Sequence, residues 1–240
     1  MLKSAIQDFM QSLESVYSDQ KKYKIFLFTI AISLIVGILG LKVFLEITEA
    51  LRADLLTDWD DRVSHWIHQL RNPVATKFVI AATQLGNVYA YLVLIILIAW
   101  YAHQKERGWY ITLQITLVLA TAALLNIILK FAIDRQRPQG VEIIDAGGLS
   151  FPSGHAMGSF AFYGFLIFLV WAHIKSRPKR IILSIALAGL ILLIGFTRVY
   201  LGVHYPSDVV AGYAAGLSWL AICIWVFNLL NHRRLMRLRE

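Results

Sequence analysis

Cysteine occurs once in the 240-residue sequence, at Cys223, so no intramolecular disulfide can form and oxidative stapling is excluded. That cysteine lies within an apolar run, where the role of a small buried apolar residue is expected. Charge is scarce too: Asp, Glu, Lys and Arg make up 16% of the chain against 58% hydrophobic residues, whereas a soluble domain carries roughly a quarter charged residues. This composition is that of a membrane protein. There is no internal repeat and no low-complexity segment. The first apolar run has no small-residue cleavage pattern at its end, so it is expected to be a retained helix rather than a removed signal peptide.

What is present is a set of apolar runs long enough to cross a bilayer, which needs about 20 residues each. Six are expected, at 25–45, 77–101, 109–131, 154–174, 181–197 and 208–230. The fifth is short unless it continues toward Val199–Val203. The fold class is therefore all-α, a polytopic membrane protein of six transmembrane helices. Trp100, Tyr101, Trp109, Tyr110 and Trp171 fall near span ends, as an aromatic belt requires. Residues 2–17 and the stretch "LLTDWDDRVSHWIHQL" repeat apolar residues at helical spacing, which predicts two amphipathic helices lying on the cytoplasmic and outer surfaces. The expected organisation is an N-terminal amphipathic segment 1–24, a membrane domain 25–230 and a basic tail 231–240.

The net charge of +8 raises the question of a nucleic-acid partner. Its distribution answers it. Lys3, Lys21, Lys22, Lys24, Lys105, Arg107, Lys175, Arg177, Lys179, Arg180, Arg233, Arg234, Arg237 and Arg239 all fall on one side of the spans. Only Arg52, Arg62, Arg71, Lys77, Lys130, Arg135, Arg137 and Arg198 fall on the other. The excess marks the first side as cytoplasmic and puts both termini there, in a cell (inner) membrane. The charge is topogenic, and no nucleic acid is expected. Gly212 and Gly216 can pack helices within one chain or between two, so no oligomeric state follows.

The outer-side charges are clustered. Lys130, Arg135 and Arg137 follow the third span in "KFAIDRQRP". "FPSGH" opens the fourth, and "TRVYLGVHYPSD" joins the fifth to the sixth. In "FPSGH", Pro152 suits a first helical turn, and Ser153, Gly154 and His155 would present N–H groups at a helix N-terminus, a ready anion site. In "HYPSD", Pro206 can open the sixth span with His204 ahead of it and Asp208 in its first turn. A carboxylate bonded to one ring nitrogen fixes the tautomer and leaves the other nitrogen a lone pair, the arrangement of a base or nucleophile. Lys130, Arg137 and Arg198 could clamp a tetrahedral dianion. The nearby carboxylates are only Asp134, Glu142, Asp145 and Asp208, with no cluster to hold Mg²⁺, so no metal and no cofactor are expected. His65 and His68 read as solvent-facing residues of a surface helix rather than metal ligands.

Taken together, Lys130-x₆-Arg137-Pro138, Pro152-Ser153-Gly154-His155 and Arg198-x₅-His204-x₃-Asp208 resemble the three-part signature of the phosphatidic acid phosphatase type 2 superfamily, which includes glucose-6-phosphatase and the vanadium haloperoxidases. The resemblance covers roughly 55–230. One departure is Thr197, where the family commonly has serine. The resemblance implies a metal-independent phosphatase in which His204 attacks phosphorus and becomes a phosphohistidine, Asp208 orients it, and His155 protonates the leaving oxygen and then activates water. Lys130, Arg137, Ser153, Gly154 and Arg198 would bind phosphate oxygens, with Arg135 and Thr197 behind them. The implied partners are membrane lipids and a lipid phosphate substrate: phosphatidylglycerophosphate, phosphatidate or undecaprenyl diphosphate. The site would lie on the periplasmic or extracellular side. Lipid-to-lipid phosphotransfer and lipid A dephosphorylation at the same site are the alternatives. A transporter or channel would carry ionisable residues deep within its spans, and these lie at span ends.

Overall fold

A computed structural model describes residues 20–104 and 108–237, the side chains of 20–23 and 232–237 excepted. The amphipathic segment expected at 2–17 and several topogenic basic residues, among them Lys3, Lys105 and Arg239, lie outside the described residues or side chains. Eight α-helices run through the described chain: α1 Gln20–Arg52, α2 Thr57–His68, α3 Pro73–Thr83, α4 Val88–His103, α5 Gly108–Ile133, α6 Gly154–His173, α7 Arg177–Tyr200 and α8 Pro206–Arg237. No strand occurs among the described residues.

Five of these helices, α1, α5, α6, α7 and α8, are long and apolar enough to cross a membrane. The run expected to be a single second span is instead two helices, α3 and α4, bent by 56° about a short 3-10 turn at Gln84–Gly86. The cause is local. Asn87 is extended at φ −90° and ψ 152°, and its side chain accepts a hydrogen bond from Tyr89 N–H, so it caps a new helix. The bend is fastened from outside by Tyr163, whose hydroxyl donates to the Leu85 carbonyl at 2.6 Å. The fifth span does continue past residue 197, ending at Tyr200.

The helices pack by close backbone approach, as lipid-embedded helices do in the absence of a hydrophobic drive between them. Gly212 and Gly216 of α8 face α6: a Cβ on Gly212 would stand 2.8 Å from the Ser153 carbonyl oxygen, and one on Gly216 2.7 Å from that of Met157. These small residues therefore serve contacts within one chain. Gly37 and Gly40 of α1 make the same kind of seam with α8, where Ser218 Oγ donates to the Gly37 carbonyl at 3.1 Å. At the centre, Val118 of α5, Phe162 and Phe165 of α6, Ile194 of α7 and Ala211 of α8 are fully buried. Leu124, Ile127, Ile128 and Phe131 of α5 are exposed, as lipid-facing side chains should be.

The amphipathic helix expected on the outer surface is α2. It does not simply lie flat there, because its inner side packs on the ends of α7 and α8. His68 Nε2 is 2.9 Å from the Val199 carbonyl oxygen, and Arg71 donates to that of Tyr200 at 2.9 Å. Burial lowers the pKa of His68 despite that carbonyl bond. Trp59 and Trp66 remain on the exposed side.

Candidate active site

Four helix ends converge at one end of the bundle: the C-termini of α5 and α7 and the N-termini of α6 and α8. The loop 134–153 folds back between them. Asp134 sits in the left-handed region at φ 55° and ends α5, its N–H bonded to the Lys130 carbonyl at 2.9 Å. The returning part of the loop is pinned by Ser150 N–H to the Arg135 carbonyl at 2.8 Å and by Ile143 N–H to that of Leu201 at 2.9 Å. Gly202, at φ 74°, makes the turn after α7, where a Cβ would collide with the Val141 carbonyl.

These ends enclose a cavity of about 520 Å³ lined by Lys130, Arg137, Gly154, His155, Arg198 and His204, with Asp145 on the loop wall. Two imidazoles and three cations from four separate segments thus share one space. A larger apolar groove of about 610 Å³ between α1, α6 and α8 lies toward the opposite end and holds none of the signature residues.

His204 is 3% exposed and is fixed through both ring nitrogens. Arg137 Nη1 lies 3.1 Å from Nε2. A guanidinium can only donate, so Nε2 is the unprotonated nitrogen and Nδ1 carries the hydrogen. Nδ1 faces Asp208 Oδ2 and Ser150 Oγ, each at 3.3 Å. Burial pushes the His204 pKa down to about 4, although the hydrogen bond and charge of Asp208 pull the other way. The imidazole is therefore neutral at pH 7, and the lone pair of its Nε2 meets Arg137, which lines the cavity with it.

Asp208 is fully buried, yet its two oxygens are well supplied with donors. Oδ2 also accepts from Ser150 Oγ and from Tyr205 N–H at 2.9 Å, and Oδ1 accepts from Arg135 Nη1 at 2.7 Å. Arg135 is placed directly on this carboxylate, and its guanidinium also sits 4.0 Å above the Tyr205 ring.

The cations are anchored chiefly by carbonyls rather than by carboxylates. Arg137 donates to the Val203 carbonyl at 2.6 Å and that of Gly148 at 3.0 Å; burial is the main influence on it and holds its pKa below the usual arginine value. Lys130 Nζ bonds the carbonyls of Leu149 and Ser150. Arg198 Nη1 donates to Thr83 Oγ1 at 2.8 Å, while its buried Nε has no partner among the described residues. Cations held by neutral dipoles keep their charge available to an anion.

His155 lines the cavity from the first turn of α6, and Gly86 of the bend is packed against its ring. A Cβ on Gly86 would stand 2.9 Å from His155 Cδ2 and 2.6 Å from Ile194 Cγ2. The break in the second span therefore brings Thr83, Gln84 and Asn87 into the cavity wall.

Two expectations turn out differently in detail. Pro152 precedes α6 instead of occupying its first turn: Ser153 is the N-cap, and its hydroxyl accepts from Ala156 N–H at 3.5 Å. The Ser153 N–H is already bonded to the Asp208 carbonyl oxygen at 3.0 Å. Ser153 thus ties α6 to α8 and is not among the cavity-lining residues, whereas Gly154 is. Thr197 is buried too, its hydroxyl donating back to the Ile194 carbonyl at 2.5 Å.

Two contributors escape a reading of the sequence. Ser150 immediately precedes the cis Phe151–Pro152 pair and bonds Asp208. Asp60 of α2 is fully buried and bonds Arg135 and Ser207. Spacing does hold a signal for Asp60: it precedes Val63 by three residues and Ile67 by seven, so it lies on the helix face that packs inward.

The PAP2 superfamily pattern matches residues 111–232, which includes all three clusters. Among curated proteins, phosphatidylglycerophosphatase B of Bacillus subtilis is 31% identical over 72% of this chain and 86% of its own. Lipid A 4'-phosphatase of Bacteroides thetaiotaomicron is 29% identical over 78% of this chain and 83% of its own. A crystal structure of a transmembrane PAP2 type phosphatidylglycerolphosphate phosphatase from Bacillus subtilis superposes with a TM-score of 0.75 at 28% identity, covering 81% of this chain and 96% of that one.

Proposed function

This chain belongs to the PAP2 superfamily, and from that membership and the geometry of the cavity we propose that it removes phosphate from membrane lipids through a phosphohistidine on His204. It is a multi-pass membrane lipid phosphatase, a hydrolase of lipid phosphate ester or diphosphate bonds. One observation carries the assignment of roles. His204 presents a neutral, unprotonated Nε2 to a cavity ringed by Lys130, Arg137 and Arg198, with its other nitrogen tied to Asp208.

The reaction follows from that arrangement. The phosphate enters among the three cations, which balance charge as it spreads over the equatorial oxygens. His204 Nε2 attacks phosphorus, the N–P bond forms and the P–O bond to the lipid breaks. His155 gives its proton to the departing oxygen. The phosphorylated imidazole, still carrying its Nδ1 hydrogen, is cationic, and Asp208 stabilises it. His155 then takes a proton from water, the oxygen attacks phosphorus, and the N–P bond breaks to release inorganic phosphate and neutral His204. Gly154 lets the phosphate approach the start of α6 closely. Arg135 acts behind Asp208, and Ser153 acts by joining α6 to α8.

The substrate is a phosphomonoester or diphosphate of a lipid such as phosphatidylglycerophosphate, phosphatidate, undecaprenyl diphosphate or lipid A. Its tail stays in the bilayer while its phosphate reaches the cavity at the helix ends. Lys24, Lys175, Arg177, Lys179 and Arg180 lie at the helix ends away from the cavity, which supports a cavity on the outer face and cytoplasmic termini.

The test is release of inorganic phosphate by the detergent-purified protein from these four lipids side by side, with a metal chelator present. Turnover of at least one lipid is expected, together with an acid-labile phosphoenzyme that disappears in His204→Ala. Normal turnover by His204→Ala would refute the nucleophile, and strict dependence on Mg²⁺ would refute the cationic clamp.

A further inference from the structure

Asp60 is a carboxylate with no solvent exposure, on the inward side of α2 that also buries Ile67. Burying an ion costs several kcal/mol unless its lone pairs are satisfied. Here they are. Oδ1 accepts from Ser207 N–H at 2.8 Å, and Oδ2 accepts from Ser207 Oγ at 2.6 Å and Arg135 Nη2 at 2.8 Å. Arg135 uses its other terminal nitrogen on Asp208 Oδ1 and on Ser207 Oγ, both at 2.7 Å. Asp60, Arg135 and Asp208 thus form a chain that ends on the His204 ring.

We propose that Asp60 is a positioning residue for the reaction, acting through Arg135 and Ser207 to hold Asp208 against His204. The inference rests on the assignment of His204 as nucleophile.

Two effects follow from the geometry. The first is orientation. With Asp60 in place, Arg135 is held from both sides and fixes Oδ1 of Asp208, so Oδ2 is left for the imidazole, Ser150 and the Tyr205 N–H. Without it, one end of a buried guanidinium is released and the carboxylate can swivel. The second is charge. Arg135 sits between two carboxylates, so Asp208 is not fully neutralised and retains a field for the cationic phosphoimidazole. If Asp60 is made neutral, Arg135 spends its whole charge on Asp208. Neither effect touches Lys130, Arg137 or Arg198, which share no hydrogen bond with Asp60. The change should appear in kcat and not in KM.

The experiment is steady-state phosphate release by Asp60→Asn, Arg135→Ala, the double variant and His204→Ala, each purified in detergent and normalised to folded protein. Asp60→Asn should lower kcat about 30-fold or more with KM within about threefold. In the Arg135→Ala background it should lower kcat by less than about threefold further, because the two residues act as one unit. A kcat within about threefold of the parent, or the same full drop in both backgrounds, would overturn the proposal. If Asp60→Asn does not fold, Ser207→Ala serves instead: kcat about fivefold lower at constant KM is expected, and an unchanged kcat overturns it. An inactive His204→Ala beside a fully active Asp60→Asn would sink this inference alone. An active His204→Ala would sink the reading beneath it.

Discussion

Arg137 Nη1 and His204 Nε2 stand 3.1 Å apart, one near the start of the loop after α5 and the other just ahead of α8. The contact sets the imidazole tautomer and puts a cation beside the nitrogen proposed to attack phosphorus. The remaining nitrogens of Arg137 bond the carbonyls of Gly147 and Gly148, which only a planar fork can do together with the ring contact.

Arg137→Lys keeps the charge and loses the fork. It is expected to lower kcat/KM about 100-fold, with both kcat and KM affected, as measured by phosphate release. Retention of parental kcat/KM would mean that charge alone suffices.

Asp208→Asn should be more damaging. Oδ2 accepts from Ser150, His204 and Tyr205, and Oδ1 accepts from Arg135. An amide of the same shape must turn its NH₂ toward at least one of these donors. A ring held in the wrong tautomer would present N–H to phosphorus. A loss in kcat of about 10³-fold or more is expected, checked against circular dichroism to show that the helices persist.

Stability should depend on pH through His204. Its pKa is about 4 when folded, against 6.5 for the free side chain. Between those values the unfolded chain binds a proton that the folded one does not, so lowering the pH favours unfolding. Across the window from about pH 6.5 to 4 this group should remove up to about 3 kcal/mol of stability. Thermal unfolding in detergent should show Tm falling over that window, and His204→Gln should flatten the fall. A slope unchanged in the variant would show that other groups dominate.

Gly212→Ala places a methyl 2.8 Å from the Ser153 carbonyl oxygen and 2.9 Å from Ala156 Cβ. Backbone cannot yield cheaply there, so a loss of about 1–3 kcal/mol is expected. Gly189 of α7 has no atom within 4 Å of its would-be Cβ. Gly189→Ala should be neutral or stabilise by up to about 1 kcal/mol. Equal melting temperatures for the two variants would refute the packing assigned to the α6–α8 seam.

Much of the site was legible because its residues sit at ends of apolar runs. Lys130, Arg137, His155, Arg198 and His204 stand out as charge beside hydrophobic sequence, and the structure brings all five to one cavity. Ser153 shows the limit of such reading. Its place before α6 suggested an anion ligand, but its N–H meets the Asp208 carbonyl on a helix far along the chain. Nothing near Ser153 in the sequence announces that partner.

By itself the sequence determined the all-α architecture, the positions of the spans and the set of ionisable groups at one face. Those properties follow from hydropathy and spacing over some twenty residues, and are local. Tertiary structure alone decided that Tyr163 fastens the bend between α3 and α4, that Ser150 reaches Asp208, and which carboxylate of "TDWDDRV" turns inward. Asp58, Asp60 and Asp61 are chemically alike. Asp60 differs because docking α2 on the ends of α7 and α8 gives it Ser207 and Arg135 as partners, and such partners exist only once distant segments have packed.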